Sequence, residues 1–223
     1  MVKQFKIYKN FQIQKYHQNS ILLIGNFDGL HIGHQKLFKN AKKMQSKKKH
    51  KIGVLTFDPM PKMFFNKKIE NHRICNLDQK IKLFKKFGVN FVINKKFDKK
   101  FSKIKCYNFI SEILFKKIKP KYIFVSNNFR FGNNRVGNVN LLKQFEKKYN
   151  YKIINPSPLK KKRKVVSSTM IRSYLENGNL KTANKLLKRN WSIDGKVIQG
   201  RKMGKKIGFP TCNIEIGNYI ISK

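Results

Sequence analysis

His31 and His34 stand three residues apart in the run Gly25-Asn26-Phe27-Asp28-Gly29-Leu30-His31-Ile32-Gly33-His34. At a helix start that spacing puts both imidazoles on one face about one turn apart. Glycines just before a helix let backbone N–H groups approach an anion, and two imidazoles beside them can donate to phosphate oxygens as negative charge builds in a transition state. A zinc site would want a third Cys, His or carboxylate at close spacing, and none follows. Phosphate handling is the chemistry this stretch fits.

Three further stretches could do chemistry. Val165-Val166-Ser167-Ser168-Thr169-Met170-Ile171-Arg172 places Ser168 or Thr169 as a cap for a helix over 171–176, with Arg172 one turn in and able to swing back to an anion at the same helix end. As residue types alone this pattern equally describes an ordinary capped helix. Thr56-Phe57-Asp58-Pro59-Met60-Pro61-Lys62-Met63-Phe64-Phe65 fixes an extended backbone with two prolines and offers flat apolar rings. Such a loop either packs over a sheet end or receives an aromatic ligand. Residues 126–137, from Ser126 through Asn128, Phe129, Arg130, Phe131, Gly132 and Arg135 to Gly137, combine Arg for phosphate, Phe for a ring and Gly for close approach, although composition by itself favours a polar Asn/Gly surface loop.

These stretches need a scaffold, and the chain alternates accordingly. Ile21-Leu22-Leu23-Ile24 reads as a strand entering the first turn, and Leu37, Ala41 and Met44 recur at helical spacing as far as Lys48. Ile52-Gly53-Val54-Leu55-Thr56-Phe57 is the next strand, which makes a right-handed crossover and a parallel sheet. A helix over 78–87 with Asp78 as cap, a strand over 89–93, a helix over 107–118 and a strand over 122–125 continue the pattern. A helix over 139–149 and a strand over 151–154 complete it. The fold class is α/β with a parallel sheet, and its ligands belong beyond the carboxyl ends of the strands. Residues 1–20 read as a lead-in. A helix over 180–188 ends the domain, and from Arg189-Asn190-Trp191 onward the pattern changes to short β-like segments and a Gly/Lys loop over 200–213.

The first stretch resembles the HxGH signature of the α/β nucleotidyltransferases, and its fuller form, GxFDGxHxGH, resembles the prokaryotic bifunctional riboflavin kinase/FAD synthetases. Residues 56–65 are similar to that family's TFxPHPxxxF loop, with Met60 in place of the usual His. Residues 126–137 are similar to GxDFRFGxxRxG, with Ser126 in place of Gly. Residues 167–172 match SSTxxR, and 208–213 match the GFPTAN signature of the kinase module with Cys212 for Ala. Two nucleotidyltransferase signatures about 130 residues apart, in order and on the right elements, are far more specific than either alone.

The resemblance implies a Rossmann-like FMN adenylyltransferase domain over 1–187 and the start of a β-barrel riboflavin kinase domain over 188–223. It implies FAD and pyrophosphate made from FMN and ATP. His31, His34 and Arg172 would be catalytic. Gly25, Phe27, Asp28, Gly29, His31, Gly33, His34, Ser168, Thr169 and Arg172 would bind ATP, and Pro59, Pro61, Phe65, Asn128 and Phe131 the flavin. Thr211 and Asn213 would meet Mg-ATP in the kinase segment, with Asn128 and Thr211 as Mg ligands. With 34 residues over 190–223, below the ~40 that usually fold unaided, riboflavin phosphorylation is expected to be lost and the terminal strands to fray or dock on the first domain. An adenylyltransferase of other specificity is the nearest alternative.

Charge poses a rival from another class. Lys+Arg number 52 against 10 Asp+Glu, a net +42, which ordinarily points to nucleic acid. The excess is spread along the whole chain, however, and 45 of the 52 are Lys, whereas base and phosphate readout draws on Arg. The run Lys160-Lys161-Lys162-Arg163-Lys164 reads as a solvated loop in so lysine-rich a chain. A basic nucleic-acid-binding protein on a decayed enzyme fold stays as the alternative. Cys75, Cys106 and Cys212 lie far apart without CxxC spacing, which fits free thiols and a cytoplasmic location. No apolar run approaches the ~18 residues of a membrane span.

Overall fold

The computed structural model describes residues 5–161, 163–200 and 203–221. Lys162 of the basic run, and Arg201 and Lys202 of the Gly/Lys loop, lie outside them. A six-stranded parallel sheet forms the centre, from β1 (Lys6–Tyr8), β2 (Ile21–Ile24), β3 (Ile52–Asp58), β4 (Phe91–Lys96), β5 (Tyr122–Phe124) and β6 (Lys152–Ile154), in the spatial order β1-β4-β3-β2-β5-β6. Strand order reverses about β2, with β3 on one side and β5 on the other. A crevice therefore opens at the carboxyl ends of β2 and β5, where open parallel sheets bind ligands.

Side chains alternate along each strand, so the sheet buries two faces. Ile21, Leu23, Val54 and Val92 pack on one side with Phe38 and Ala41 of α1 (Ile32–Lys48) and Phe84 of α2 (Leu77–Lys86). Leu22, Ile24, Leu55, Phe91 and Ile93 pack on the other with Phe109, Ile110, Ile113 and Leu114 of α3 (Phe109–Ile118). The latter helix is wound in π geometry, closing with Lys119 N–H to the Leu114 carbonyl at 2.7 Å.

Several boundaries differ from the sequence expectation. The lead-in contains β1, a three-residue edge strand held by pairing with Phe91–Ile93. The cap of α2 is Asn76, reciprocated by Gln79 in a capping box, and Asp78 sits inside the first turn. The helix expected over 139–149 is interrupted at Phe145, giving Val139–Gln144 and Glu146–Tyr149. The helix expected over 171–176 begins three residues earlier as α4 (Ser168–Glu176), and its cap is Ser167, whose hydroxyl accepts from the Met170 N–H at 3.2 Å. It packs on α5 (Leu180–Leu187) through Ile171, Leu175, Ala183, Leu186 and Leu187.

Beyond α5, an antiparallel pair of Lys196–Ile198 with Asn213–Glu215 forms a small hairpin. The last described residues pack along the segment that precedes α2. Asn218 O accepts from the His72 and Arg73 N–H groups at 3.0 and 2.8 Å, and Ile220 N–H donates to Arg73 O at 2.9 Å. Tyr219 and Ile220 are buried there, and Trp191 Nε1 donates to Ile74 O at 2.8 Å.

Candidate active site

The chain leaves β2 through a turn that only a special backbone can make: Phe27, Gly29 and Leu30 all have positive φ, at 48°, 73° and 41°. At Gly29 a Cβ would also stand 2.7 Å from the Ile74 side chain, so glycine is required twice over. Gly33 has a different reason. A Cβ there would approach the His31 ring to 3.1 Å, which accounts for the small residue between the two histidines.

Asp28, 2 % exposed, is the knot of this turn. Its carboxylate accepts from the Ile74 N–H at 3.2 Å, from the Cys75 N–H at 3.3 Å and from Arg172 Nη2 at 2.6 Å. Arg172 Nε donates in turn to His72 O at 2.7 Å, and Ser168 Oγ donates to Asp28 O at 2.9 Å. Two stretches 140 or more residues apart are thereby held as one surface: the turn with the start of α1, and the start of α4. The sequence-predicted Asp28, Gly29, His31, His34, Ser168 and Arg172 all meet here, with Thr169 exposed beside them. Arg172 spends two of its donors on protein oxygens, which fixes the guanidinium in place for any anion that approaches it.

The two imidazoles stack, with ring centroids 3.7 Å apart and planes 21° from parallel. His31 Nδ1 accepts from the His34 main-chain N–H at 3.4 Å, capping α1. A neutral His31 therefore carries its proton on Nε2. Burial, aided by Arg172 and opposed by Asp28, holds His31 down to about 4, and burial with the His31 ring beside it holds His34 well below the ordinary histidine value. Both are neutral hydrogen-bonding groups at physiological pH. His34 Nδ1 is buried with no partner among the described residues, an unmet hydrogen bond at a helix N-terminus.

The aromatic loop follows β3. Pro61 opens the short helix Pro61–Phe65, and Phe65 is 68 % exposed, with its ring centroid 5.2 Å from Phe64 and 5.7 Å from Phe97. This is an open apolar platform; Pro59, before it in the loop, is partly buried. Met60 is buried, 4 % exposed. The loop after β5 is different: Phe131 is buried, its ring 5.2 Å from Phe109 and stacked at 5.6 Å on the partly buried Phe129, so Phe129 is the ring of this pair nearer the surface. Asn128 is exposed and its Oδ1 accepts from Ser126 Oγ at 2.8 Å, so the serine that replaces glycine engages that carboxamide. Thr211 and Asn213 lie exposed by the C-terminal hairpin, in a separate part of the chain. Among the described residues no three His, Cys, Asp or Glu side chains gather as a metal site.

Sequence reading missed three participants. Arg73, which donates to Asp58 Oδ1 at 2.5 Å, Cys75, whose Sγ accepts from the Gly29 N–H at 3.2 Å, and Lys80, which is buried beneath the turn, carry no local signal that separates them from surface residues.

Comparison with known proteins agrees with this geometry. Residues 13–170 match the FAD synthetase family model and residues 187–223 match the riboflavin kinase model. Two curated relatives are bifunctional riboflavin kinase/FMN adenylyltransferases. That of Buchnera aphidicola from Schizaphis graminum is 40 % identical over 209 residues, which is 93 % of this chain and 67 % of the relative. That of Escherichia coli K12 is 32 % identical over 203 residues, 91 % of this chain and 65 % of the relative. The chain thus spans about two thirds of their length. Among solved structures, a Streptococcus pneumoniae chain described as a macrolide-efflux protein superposes with a TM-score of 0.81 at 27 % identity, covering 98 % of this chain and 71 % of that one. No helix among the described residues is long and apolar enough to cross a membrane. A Francisella tularensis pantoate-beta-alanine ligase shares the fold, with a TM-score of 0.50 at 18 % identity over 92 % of this chain and 85 % of that one. The chain belongs to the FAD synthetase family, as an FMN adenylyltransferase whose sequence runs on into that of a riboflavin kinase.

Proposed function

We propose that the turn over 25–31, His34 and the start of α4 carry the transfer of AMP from ATP to FMN. The FMN phosphate oxygen attacks the α-phosphorus of ATP, the bond to the β-phosphate oxygen breaks, and pyrophosphate leaves. A phosphate is a competent nucleophile at neutral pH, so the protein supplies position and charge stabilisation. The observation that carries this reading is the stacked neutral His31–His34 pair at the N-terminus of α1, with His34 Nδ1 unmet. In it, His31 Nε2–H and His34 donate to the phosphate that gains charge at the α-phosphorus. Arg172, fixed by Asp28, offers Nη1 to the departing end together with Ser168 and Thr169, and the Gly25–Gly29 turn lies under the triphosphate.

Flavin stacking falls to the Phe65 platform with Pro59 and Pro61, and to the loop over 126–137, where Phe131 acts from below through Phe129. Asn128 reaches a flavin phosphate only by exchanging its bond with Ser126. Magnesium arrives as part of the substrate, chelated by ATP. Among the described residues no three His, Cys, Asp or Glu side chains build a metal site, Asn128 is engaged by Ser126, and Thr211 lies in the kinase-like segment. We place the domain boundary after Leu187 and assign Thr211 and Asn213 to nucleotide contacts of the kinase-like segment. Free thiols at Cys75, Cys106 and Cys212 suit the reducing cytosol, where FMN and ATP are made and used. A fluorescence titration of FMN, repeated with Phe65→Ala, tests the flavin platform: weakened binding is expected, and unchanged binding removes Phe65.

A further inference from the structure

Lys80 is the buried lysine among the described residues, 1 % exposed on α2 directly beneath the turn. Its Nζ donates to the Asn26 main-chain oxygen at 3.5 Å, which also accepts from the Thr56 hydroxyl at 3.4 Å. Among the described residues the carboxylates that act on it, Asp28 and Asp58, are both shared. Asp58 is taken by Arg73 at 2.5 Å and Asp28 by Arg172 at 2.6 Å. The Cys75 thiol, pushed up to about 12 by burial and by Asp28, stays neutral. Arg189, which also feels Asp28 and Cys75, adds to the positive surplus. Asn26 Oδ1 is itself buried without a partner among the described residues, so the turn above Lys80 is under-satisfied too.

Burial lowers the pKa of Lys80, opposed by Asp28 and Asp58; holding that amine charged on one long hydrogen bond is a poor way to stabilise an empty chain, and a methionine of similar length would fill the space without the desolvation cost. The surplus acquires a purpose once an anion lies on the turn. Low-dielectric surroundings carry the charge of Lys80 to the other side of a single backbone layer with little screening.

We propose that Lys80 is a positioning residue for adenylyl transfer, pinning the 25–29 turn through the Asn26 carbonyl and supplying the buried positive charge that the phosphates of ATP neutralise when they settle on that turn. This rests on the adenylyltransferase reading of the site. The test compares wild type, Lys80→Met and Lys80→Arg in the full chain, measuring the melting temperature with and without Mg-ATP, and kcat and KM for ATP and FMN. Lys80→Met is expected to melt at or above wild type without nucleotide and to lose most of the ATP-induced rise. Its kcat should fall about tenfold or more with the KM for FMN little moved, and Lys80→Arg should recover part of the loss. The proposal is overturned by a Lys80→Met chain that turns over like wild type per folded molecule. It is equally overturned by one that fails to fold, because Lys80 would then be holding the fold alone. If wild type itself forms no FAD, the adenylyltransferase reading is what falls, and the ATP-induced melting shifts of the three proteins still decide whether Lys80 supplies charge to a bound triphosphate.

Discussion

Arg172 donates to the Asp28 carboxylate at 2.6 Å, joining residues 144 apart in the chain. Asp28 belongs to the first nucleotidyltransferase-like stretch and Arg172 to the second, so this one contact sets their spacing. The same carboxylate collects the N–H groups of Ile74 and Cys75, so the segment before α2 is drawn into the assembly as well.

Asp28→Ala should therefore do double damage. Removing one partner of a buried pair strands the other and costs about 3–5 kcal/mol, read as a lowered urea midpoint. Turnover of the remaining folded protein should fall as well, because Arg172 loses its anchor. A variant that keeps both wild-type stability and wild-type kcat would show that the pair does not organise the site.

His34→Ala leaves α1 capped by His31 and removes the imidazole we assign to phosphate contact. Turnover should drop about a hundredfold, by analogy with loss of one oxyanion donor, while the circular-dichroism spectrum stays that of wild type. Unchanged turnover would take His34 out of the mechanism.

Acid should unfold this protein early. An unfolded histidine titrates near 6.5, whereas folded His31 is held at about 4, and His17 and His72 are lowered to about 4 as well. With the folded pKa depressed, the unfolded chain binds the extra protons. The stability from neutral His31 is complete above about pH 6.5 and is lost as pH falls to 4, amounting to about 3 kcal/mol. Denaturant midpoints should decline across that window, and less steeply in His31→Gln. Turnover per folded molecule should be flat from about pH 6.5 to 8, since neither active-site imidazole changes charge there. A turnover that falls as pH rises through that range would require a protonated histidine instead.

How much of this is legible in the sequence depends on the range of the interaction. The Gly25–His34 turn is readable because its glycines, imidazoles and flanking strand are local, and the unbroken buried runs of β2 and β3 show strands covered on both faces. β1 is invisible: three residues of KIY carry no period, and only the partner strand Phe91–Ile93 makes them a strand. Lys80 is hidden among 45 lysines, because burial is decided by what packs over α2. Helix starts at Ser168 and Leu77 slip by one to three residues where several Ser, Asn or Asp residues compete as caps. Phe131 reads as a ring of the flavin pocket; in the fold it is buried, with room left by Gly137, where a Cβ would stand 2.7 Å from its ring, and Phe129 is the partly buried ring stacked on it.

Gly29→Ala should cost several kcal/mol in order of magnitude, from a left-handed φ and a clash with Ile74 that backbone movement must relieve. Because that movement displaces Asp28, loss of turnover should accompany loss of stability. Wild-type kcat in a destabilised Gly29→Ala protein would separate the turn from the chemistry.

The central claim is most directly tested by incubating purified protein with Mg-ATP and either FMN or riboflavin, separating the flavins by chromatography and measuring pyrophosphate. The account predicts FAD from FMN, with one pyrophosphate released per FAD. A folded protein that forms neither, or that binds RNA with steep salt dependence and releases no pyrophosphate, would contradict it.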